Sequence, residues 1–322
     1  MDNMVKGKVI KGVGGLYTVL VGSDGGELAG LRVRSRARGV LRHGGMQVLA
    51  GDEVMLGYDA ELFAANRSDE EANFVIESIC ERKNSLIRPP LANLDYLFIT
   101  VAAAKPAPVL LTVDKLFSIC VYNGIEPIAV ITKSELNREY AEEIAEIYRK
   151  AGFVTVVTSS VTGEGISELK RIIEELPSGS LSAFSGASGV GKSTIMNVLF
   201  PTLSLSTSSV SKKTERGRHT TRETELFVIR EGENPVFLAD TPGFTMLDFE
   251  RFDFFGKEDL VNNFIEFEPY IGKCRYTDCT HLSDEDCAIL HAISEGKVAK
   301  SRHNSYVGLY HVLKNKHSWD KK

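Results

Sequence analysis

Eight consecutive residues, Gly186-Ala187-Ser188-Gly189-Val190-Gly191-Lys192-Ser193, constrain the fold of this chain more than any other stretch. They fit the pattern G-x-x-x-x-G-K-[ST]. The residues before them, 181–185, read as a strand, and 192–200 read as a helix. The glycines let the backbone curl so that successive N–H groups point into one concavity, and the helix N-terminus adds partial positive charge. A loop built this way takes phosphate. Lys192 would reach the terminal phosphates of a nucleotide, Ser193 would offer its hydroxyl to Mg²⁺, and Thr194 follows them in the helix.

A strand–loop–helix unit of this kind belongs to a layered α/β sheet, and the surrounding sequence supplies one. Residues 96–101 and 127–132 are short continuous apolar runs, as buried parallel strands require. Between them Val113, Leu116, Phe117 and Cys120 fall at helical spacing. Helical spacing returns over 139–151, strand character over 153–157, and a helix over 166–176 is closed by Pro177. Strands are expected again at 226–229 and 236–239, and a last helix at 301–316 with Tyr306, Leu309, Tyr310 and Leu313 on one stripe.

The first part of the chain has a different texture. Thirteen of the 28 glycines lie before residue 58. Between them are short β-like runs at 8–10, 16–21, 31–38, 47–49 and 53–56, which read as a small all-β barrel or sandwich. The stretch 65–73 reads as a loop, and 84–90, with Pro89-Pro90, as a linker. A chain of 322 residues suits two or three domains at roughly 150 residues each. A net charge of −5 excludes a generally basic nucleic-acid coat protein but allows a local basic surface. The longest apolar run, 97–104, is far short of the ~20 residues that span a bilayer. The polar N-terminus has no apolar segment of a secretory signal. Three of the five cysteines crowd between 274 and 287, which indicates a metal cluster in a reducing compartment; a cytoplasmic location is expected.

Asp240-Thr241-Pro242-Gly243 follows the apolar strand 236–239. After a phosphate loop, an Asp at a strand end can hold Mg²⁺ through water, and Gly243 can give its N–H to a γ-phosphate. Between the two motifs, 204–222 is rich in Ser, Thr and basic residues and is expected to be mobile without ligand. Thr220 and Thr221 are candidates to close onto Mg²⁺, Thr221 foremost. Phe244 stands where many GTPases carry a water-orienting Gln, so His219 is the candidate for positioning the attacking water. Thr132-Lys133-Ser134-Glu135, after the strand 127–131, resembles the Asn-Lys-x-Asp base-reading motif of GTPases, with Thr for Asn and Glu for Asp. Thr158-Ser159-Ser160 resembles the loop that contacts the base through backbone N–H groups. Both base-reading segments precede the phosphate loop, whereas in ordinary GTPases they follow it. A circular permutation produces that order, and it ties whatever follows Thr245 to the second switch.

Cys274, Cys279, His281 and Cys287 give C-x₄-C-x-H-x₅-C. Three thiolates and an imidazole match a closed, structural tetrahedral Zn²⁺ site. Cys80 and Cys120 read as core residues, and His291 is surplus to four-coordination. Arg32, Arg34, Arg36 and Arg38 alternate along an expected strand and so share one face, without an acid among them; Arg42 and His43 follow. Such a face is a nucleic-acid platform. Lys212, Lys213, Arg216, Arg218 and Arg222 form a second basic stretch, and Lys314, Lys316, Lys321 and Lys322 a third.

The whole pattern resembles the ribosome small subunit-dependent GTPase A family. The residues that carry the likeness are Gly7-Lys8-Val9-Ile10 with Tyr17-Thr18-Val19, Arg36-Ala37-Arg38-Gly39, Gly51-Asp52-Glu53-Val54, Arg82-Lys83-Asn84-Ser85-Leu86-Ile87-Arg88-Pro89, Gly217-Arg218-His219-Thr220-Thr221, and the Cys/His cluster. The likeness covers nearly the entire chain. It implies a multi-domain α/β protein with an N-terminal all-β OB-fold barrel (1–75) that binds RNA. A central circularly permuted P-loop GTPase domain (82–248) and a C-terminal α-helical zinc-binding domain (249–322) would follow. It further implies GTP hydrolysis with Mg²⁺, one structural Zn²⁺, stimulation by the 30S subunit, and a role in late maturation of that subunit through its 16S rRNA. A monomer without membrane attachment is expected. Two other classes stay open on the residues alone. One is a P-loop enzyme using ATP on a small substrate; the other is a zinc and OB nucleic-acid module with a vestigial nucleotide site.

Overall fold

The computed structural model describes residues 3–39, 41, 47–66, 74–86, 89–201, 224–240 and 255–314. In chain order the strands are β1 (Asn3–Val13), β2 (Leu16–Val21), β3 (Arg32–Ala37), β4 (Glu53–Tyr58), β5 (Val75–Ile79), β6 (Ser85–Leu86), β7 (Leu91–Ala92), β8 (Tyr96–Ala102), β9 (Glu126–Thr132), β10 (Thr155–Val157), β11 (Leu181–Ser185), β12 (Glu225–Arg230) and β13 (Val236–Asp240). The helices are α1 (Ala60–Asn66), α2 (Leu110–Tyr122), α3 (Arg138–Lys150), α4 (Ile166–Glu174), α5 (Lys192–Leu199), α6 (Ala288–Ser294) and α7 (Lys300–Lys314). The chain divides into two compact units, Met1–Tyr96 with Glu174–Ala183 and Leu203–Phe244, and Leu97–Ile173 with Phe184–Thr202 and Thr245–Lys322.

In the first unit β1 pairs antiparallel with both β2 and β4, β2 with β3, and β5 with β4, while β3 and β5 run parallel. The five strands thereby close into a barrel. Val5, Val9, Val19, Val21, Val33, Val54, Leu56 and Ile76 fill its interior. These β-branched and γ-branched side chains recur on alternate positions, so one pleat face is apolar and the other is left to solvent. Two expectations from sequence are corrected here. Residues 47–49 are not a strand: Leu49 N–H donates to Asp52 Oδ2 at 2.7 Å and Gln47 C=O accepts from Arg82 at 2.6 Å, an irregular segment that holds the Asp52–Arg82 ion pair. The stretch 84–90 is no plain linker either, because Ser85–Leu86 and Leu91–Ala92 pair antiparallel and Asn84 bonds both the N–H and the C=O of Leu94.

The same unit carries β12 and β13, antiparallel to each other, with β13 parallel to β11 from Leu181↔Phe237 to Ala183↔Ala239. β1 meets β12 at Lys11↔Glu225. Lys8 fastens this junction: its ammonium donates to Gly179 C=O at 3.1 Å and lies 4.9 Å from the Phe237 ring centre, and burial pushes its pKa down.

In the second unit β9 lies between β8 and β10. α2 buries Val113, Leu116, Phe117 and Cys120, and α3 buries Ala141, Ile144, Ala145 and Tyr148. The Asn137 side chain caps α3 by accepting from Tyr140 N–H at 3.1 Å. Residues 255–314 add a small core of Leu260, Phe264, Phe267, Ile289, Val298, Tyr306 and Leu309. Arg302 of α7 is fully buried and donates to Glu266 and to Asp114 of α2, so the C-terminal helices are seated on the unit by an ion network. Among the described residues no helix is long and apolar enough to cross a membrane.

Candidate functional site

The loop 186–193 opens as the sequence pattern requires. β11 delivers the chain to Gly186, and α5 begins at Lys192. A Cβ on Gly186 would stand 2.2 Å from Thr100 Oγ1 and 2.5 Å from Thr100 C=O, so only glycine lets the loop start this close to β8. Thr100 Oγ1 in turn donates to Ser185 C=O at 2.6 Å. Lys192 is folded back over its own loop, donating to the carbonyls of Gly186 at 2.6 Å and Ala187 at 3.0 Å. Burial pushes its pKa down to about 8.

The segment Thr132 to Glu135 lies against this loop. Thr132 Oγ1 donates to Val190 C=O at 2.5 Å, and Lys133 Nζ donates to Gly189 C=O at 2.7 Å and Lys105 C=O at 2.6 Å. Lys133 takes the left-handed conformation (φ 59°, ψ 35°), which turns the chain sharply after β9. A cavity of about 230 Å³ opens there, lined by Thr132, Lys133, Glu135, Leu136, Ser160, Val161, Gly191, Thr194 and Ile195. Five of the residues singled out from sequence as base-reading or helix-start positions therefore meet around one hollow with Gly191. Leu136, Val161 and Ile195 are apolar walls that sequence reasoning did not single out.

Thr158 and Ser159 do not line it. Both are fully buried; Thr158 Oγ1 donates to Ile131 C=O at 3.0 Å, and Ser159 Oγ accepts from the N–H groups of Val161 and Thr162. They shape the loop that carries Ser160. Glu164 was also missed: it accepts from Ser134 Oγ at 2.7 Å and pairs with Arg138. Its position in a Gly-Glu-Gly turn carried no sign of that partner.

Asp240 ends β13, one residue beyond the Ala183↔Ala239 pair, and β11 runs on from Ala183 through Ser185 into Gly186. His219, Thr220, Thr221, Gly243, Phe244 and the basic residues 212–222 lie outside the described residues, as do Arg42, His43, Lys316, Lys321 and Lys322.

Cys274, Cys279, His281 and Cys287 come together, with their ligand atoms all within 4.8 Å of one another. Cys274 Sγ is 3.4 Å from His281 Nδ1 and 3.9 Å from Cys287 Sγ, and Cys287 Sγ is 3.5 Å from His281 Nδ1. Ligands at Zn–S and Zn–N bond lengths on a tetrahedron stand about 3.5–3.8 Å apart, so this donor set fits zinc. His281 turns Nδ1 to the sulfurs, and the His281 carbonyl is engaged by His303 Nε2 at 2.7 Å, which fixes the loop. Burial pushes the Cys279 thiol up to about 12 and the His281 imidazole down, toward the neutral form that ligates.

On β3, Arg32, Arg34 and Arg36 are exposed and alternate with buried Val33, Ser35 and Ala37. Arg38 continues the row, but it pairs with Glu77 of β5. The acid-free face expected from sequence is thus corrected by an acid from the parallel neighbour strand, which only the barrel closure brings alongside.

Two family models match: RsgA N-terminal domain over residues 6–61 and RsgA GTPase over residues 79–250. A protein of Caldanaerobacter subterraneus subsp. tengcongensis described as small ribosomal subunit biogenesis GTPase RsgA is 36% identical over 313 residues, covering 97% of each chain. A protein of the same description from Bacillus cereus is 37% identical over 309 residues, covering 94% of this chain and 95% of its own. Among solved structures, YjeQ from Thermotoga maritima superposes with a TM-score of 0.75 at 28% identity, covering 98% of this chain and all of its own. YloQ, described as a circularly permuted GTPase, superposes with a TM-score of 0.74 at 29% identity, covering 98% and 96%. With an N-terminal five-strand barrel, the 132–135 segment ahead of the phosphate loop and a Cys₃His group after it, the chain belongs to the RsgA GTPase family, hydrolases of GTP.

Proposed function

We propose that this chain is a GTPase of small ribosomal subunit biogenesis, which binds the 30S subunit, is stimulated by it, and assists its late maturation. The observation that carries the reading is the 230 Å³ hollow between the 132–135 segment and the start of α5, where the Glu135 carboxylate and Gly191 of the phosphate loop line one cavity. The relatives named for small ribosomal subunit biogenesis support the partner. Three parts do the work in this reading: an RNA-binding OB barrel over 1–75, whose strands run on to Ile79 in β5, the permuted GTPase domain over 82–248, and the zinc domain over 249–322.

The chemistry follows from the residues. Backbone N–H groups of 186–191 cradle the phosphates, Lys192 neutralises the β- and γ-oxygens, and Thr194 borders the nucleotide. Glu135 accepts from the N1–H and N2–H₂ edge of guanine while the Lys133 stem covers the ring. Ser134, Thr158, Ser159 and Ser160 shape the base pocket. The hydroxyls of Ser193 and Thr221 are hard oxygen donors that would hold Mg²⁺, and Asp240 would help hold it through water; the ion would supply charge neutralisation. Gly243 gives its N–H to the γ-phosphate, and Thr220 closes the switch. His219 orients the attacking water in place of the usual Gln. Cys274, Cys279, His281 and Cys287 would hold Zn²⁺, which fixes the C-terminal fold. Arg32, Arg34, Arg36, Arg38 and Arg42 contact 16S rRNA phosphates. The protein acts as a cytoplasmic monomer between GTP and GDP states.

The test is hydrolysis by the purified chain, GTP and ATP in parallel, with and without 30S subunits. GTP-only turnover that rises strongly with 30S is the expected result. Equal ATP turnover or indifference to 30S overturns the reading, and unchanged 30S-stimulated turnover in His219→Ala removes His219 from catalysis.

A further inference from the structure

We propose that Glu164 is a positioning residue for base recognition. It ties the 158–165 loop to the 132–135 segment and thereby sets where Glu135 meets the base. The inference rests on the reading of Glu135 as the base-reading carboxylate.

Ser134 stands between the two residues that would touch the base, and unlike them it points inward: it is 1% exposed. Its hydroxyl donates to Glu164 Oε2 at 2.7 Å. The other carboxylate oxygen, Oε1, accepts from Arg138 in the first turn of α3, the helix into which the base-reading segment runs. One side chain therefore grips that segment from within and at its exit.

The backbone that carries this side chain is itself held. Glu164 C=O accepts from Ser159 N–H at 2.9 Å, and Glu164 N–H donates to Thr162 Oγ1 at 3.4 Å. At the next residue, Gly165, a Cβ would stand 2.0 Å from Val157 C=O, so the loop is pressed onto the end of β10. Ser134 N–H adds a backbone tie to Thr158 C=O at 3.2 Å. The 158–165 loop is thus a fixed post.

The two contacts differ in weight. Arg138 and Glu164 are 54% and 39% exposed, and an ion pair that open contributes little. The hydrogen bond from buried Ser134 to a carboxylate is the stronger kind. With it gone, the Ser134 hydroxyl is left unpartnered inside, and the turn that aims Glu135 keeps only its backbone tie to Thr158 C=O. Arg138 serves to hold the carboxylate at the angle Ser134 needs.

The experiment measures the affinity for fluorescent GDP and steady-state hydrolysis of GTP and ITP, whose base lacks the 2-amino group. It compares the wild-type chain with E164A, E164Q, S134A, S134A/E164A and E135A. E164A is expected to weaken GDP binding and raise KM for GTP about tenfold, with kcat within about twofold and a narrowed preference for GTP over ITP. E164Q still accepts from Ser134 and stays close to wild type. S134A reproduces the loss, and the double variant is no worse than either single one, as two ends of one contact require. Wild-type affinity and selectivity in E164A, alongside their loss in E135A, overturn the role of Glu164 alone. A drop in kcat and melting temperature at unchanged GTP/ITP preference overturns it too, leaving a merely structural residue. If E135A itself keeps its selectivity, the base-site reading fails and takes this proposal with it.

Discussion

Thr132 Oγ1 donates to Val190 C=O across 2.5 Å, which joins the end of β9 to the middle of the phosphate loop. The hydroxyl stands where GTPases of the Asn-Lys-x-Asp pattern carry an amide. Thr132 is 1% and Val190 3% exposed, so the bond lies in the interior. Thr132→Val keeps the shape and removes the donor, at a cost of about 1–3 kcal/mol for the stranded carbonyl. The expected outcome is GDP affinity lowered about tenfold in a fluorescence titration, with Thr132→Ser near wild type. Equal affinity in the Val variant would mean that the bond is incidental to the loop's shape.

Lys192 gives the nucleotide site a pH dependence. Burial holds its pKa down to about 8 in the ligand-free protein. Phosphates beside the ammonium stabilise the charged form, so the complex binds more protons than the free protein, and affinity must fall as pH rises. Below about pH 8 the lysine is already charged and affinity is flat. Above it, affinity declines by up to about tenfold per pH unit until the raised pKa of the complex is reached. GDP titrations from pH 6.5 to 9.5 read this out. Lys192→Arg, always charged, is expected to bind with a flat profile across the same range.

What was legible in the sequence was local. The phosphate loop, β11, α5 and the Cys/His spacing are contiguous, and each is specified by residues within a few positions of one another. The 132–135 segment was legible for the same reason, and its place ahead of the loop pointed to the permutation. What escaped notice depends on partners far along the chain. β5 is a short run whose identity rests on pairing parallel with β3 at Arg36↔Val75 and antiparallel with β4, registers that no local pattern announces. Glu77 reached the arginine row through the same pairing. Glu164 and Ser134 are 30 residues apart, and Arg302 and Asp114 are 188 apart. Charged residues are read as solvated by default, so a buried arginine between two acids is invisible until the helices are packed.

Removal of the metal should unfold the C-terminal part. The four candidate ligands sit in irregular chain between 274 and 287, and their surroundings supply only a small core. About one zinc per chain is expected by elemental analysis of protein purified without chelator. Treatment with a strong chelator, or Cys287→Ser, is expected to cost helical circular dichroism and to lower the melting temperature, while GDP binding at the second unit's phosphate loop is retained. A full-strength melt in metal-free protein would show that the group is not what holds these residues.

Arg302 is the residue whose loss the C-terminal packing should tolerate least. Its guanidinium donates to Glu266 at 2.7 and 3.1 Å and to Asp114 at 2.9 Å, and it lies 4.5 Å from the Phe264 ring centre. None of the three charged groups reaches solvent: Arg302 is 0%, Asp114 1% and Glu266 4% exposed. Burial pushes the Asp114 carboxyl up, and the Arg302 charge opposes that push. Arg302→Ala leaves two acids in a dry interior without their cation, which costs about 3–5 kcal/mol. A loss of that size in a unit of this length lowers the melting temperature by roughly 10 °C. The sign of its pH dependence is set as well. With Arg302 gone, the push of burial on the Asp114 carboxyl is unopposed, so its folded-state pKa rises further above the unfolded one. The variant should then be closest to wild type in acid and fall further behind as pH rises above the ordinary carboxylate range. Thermal melts of both proteins between pH 5 and 8 test this, and a constant difference across that range would mean that the two acids find another partner when the arginine is gone.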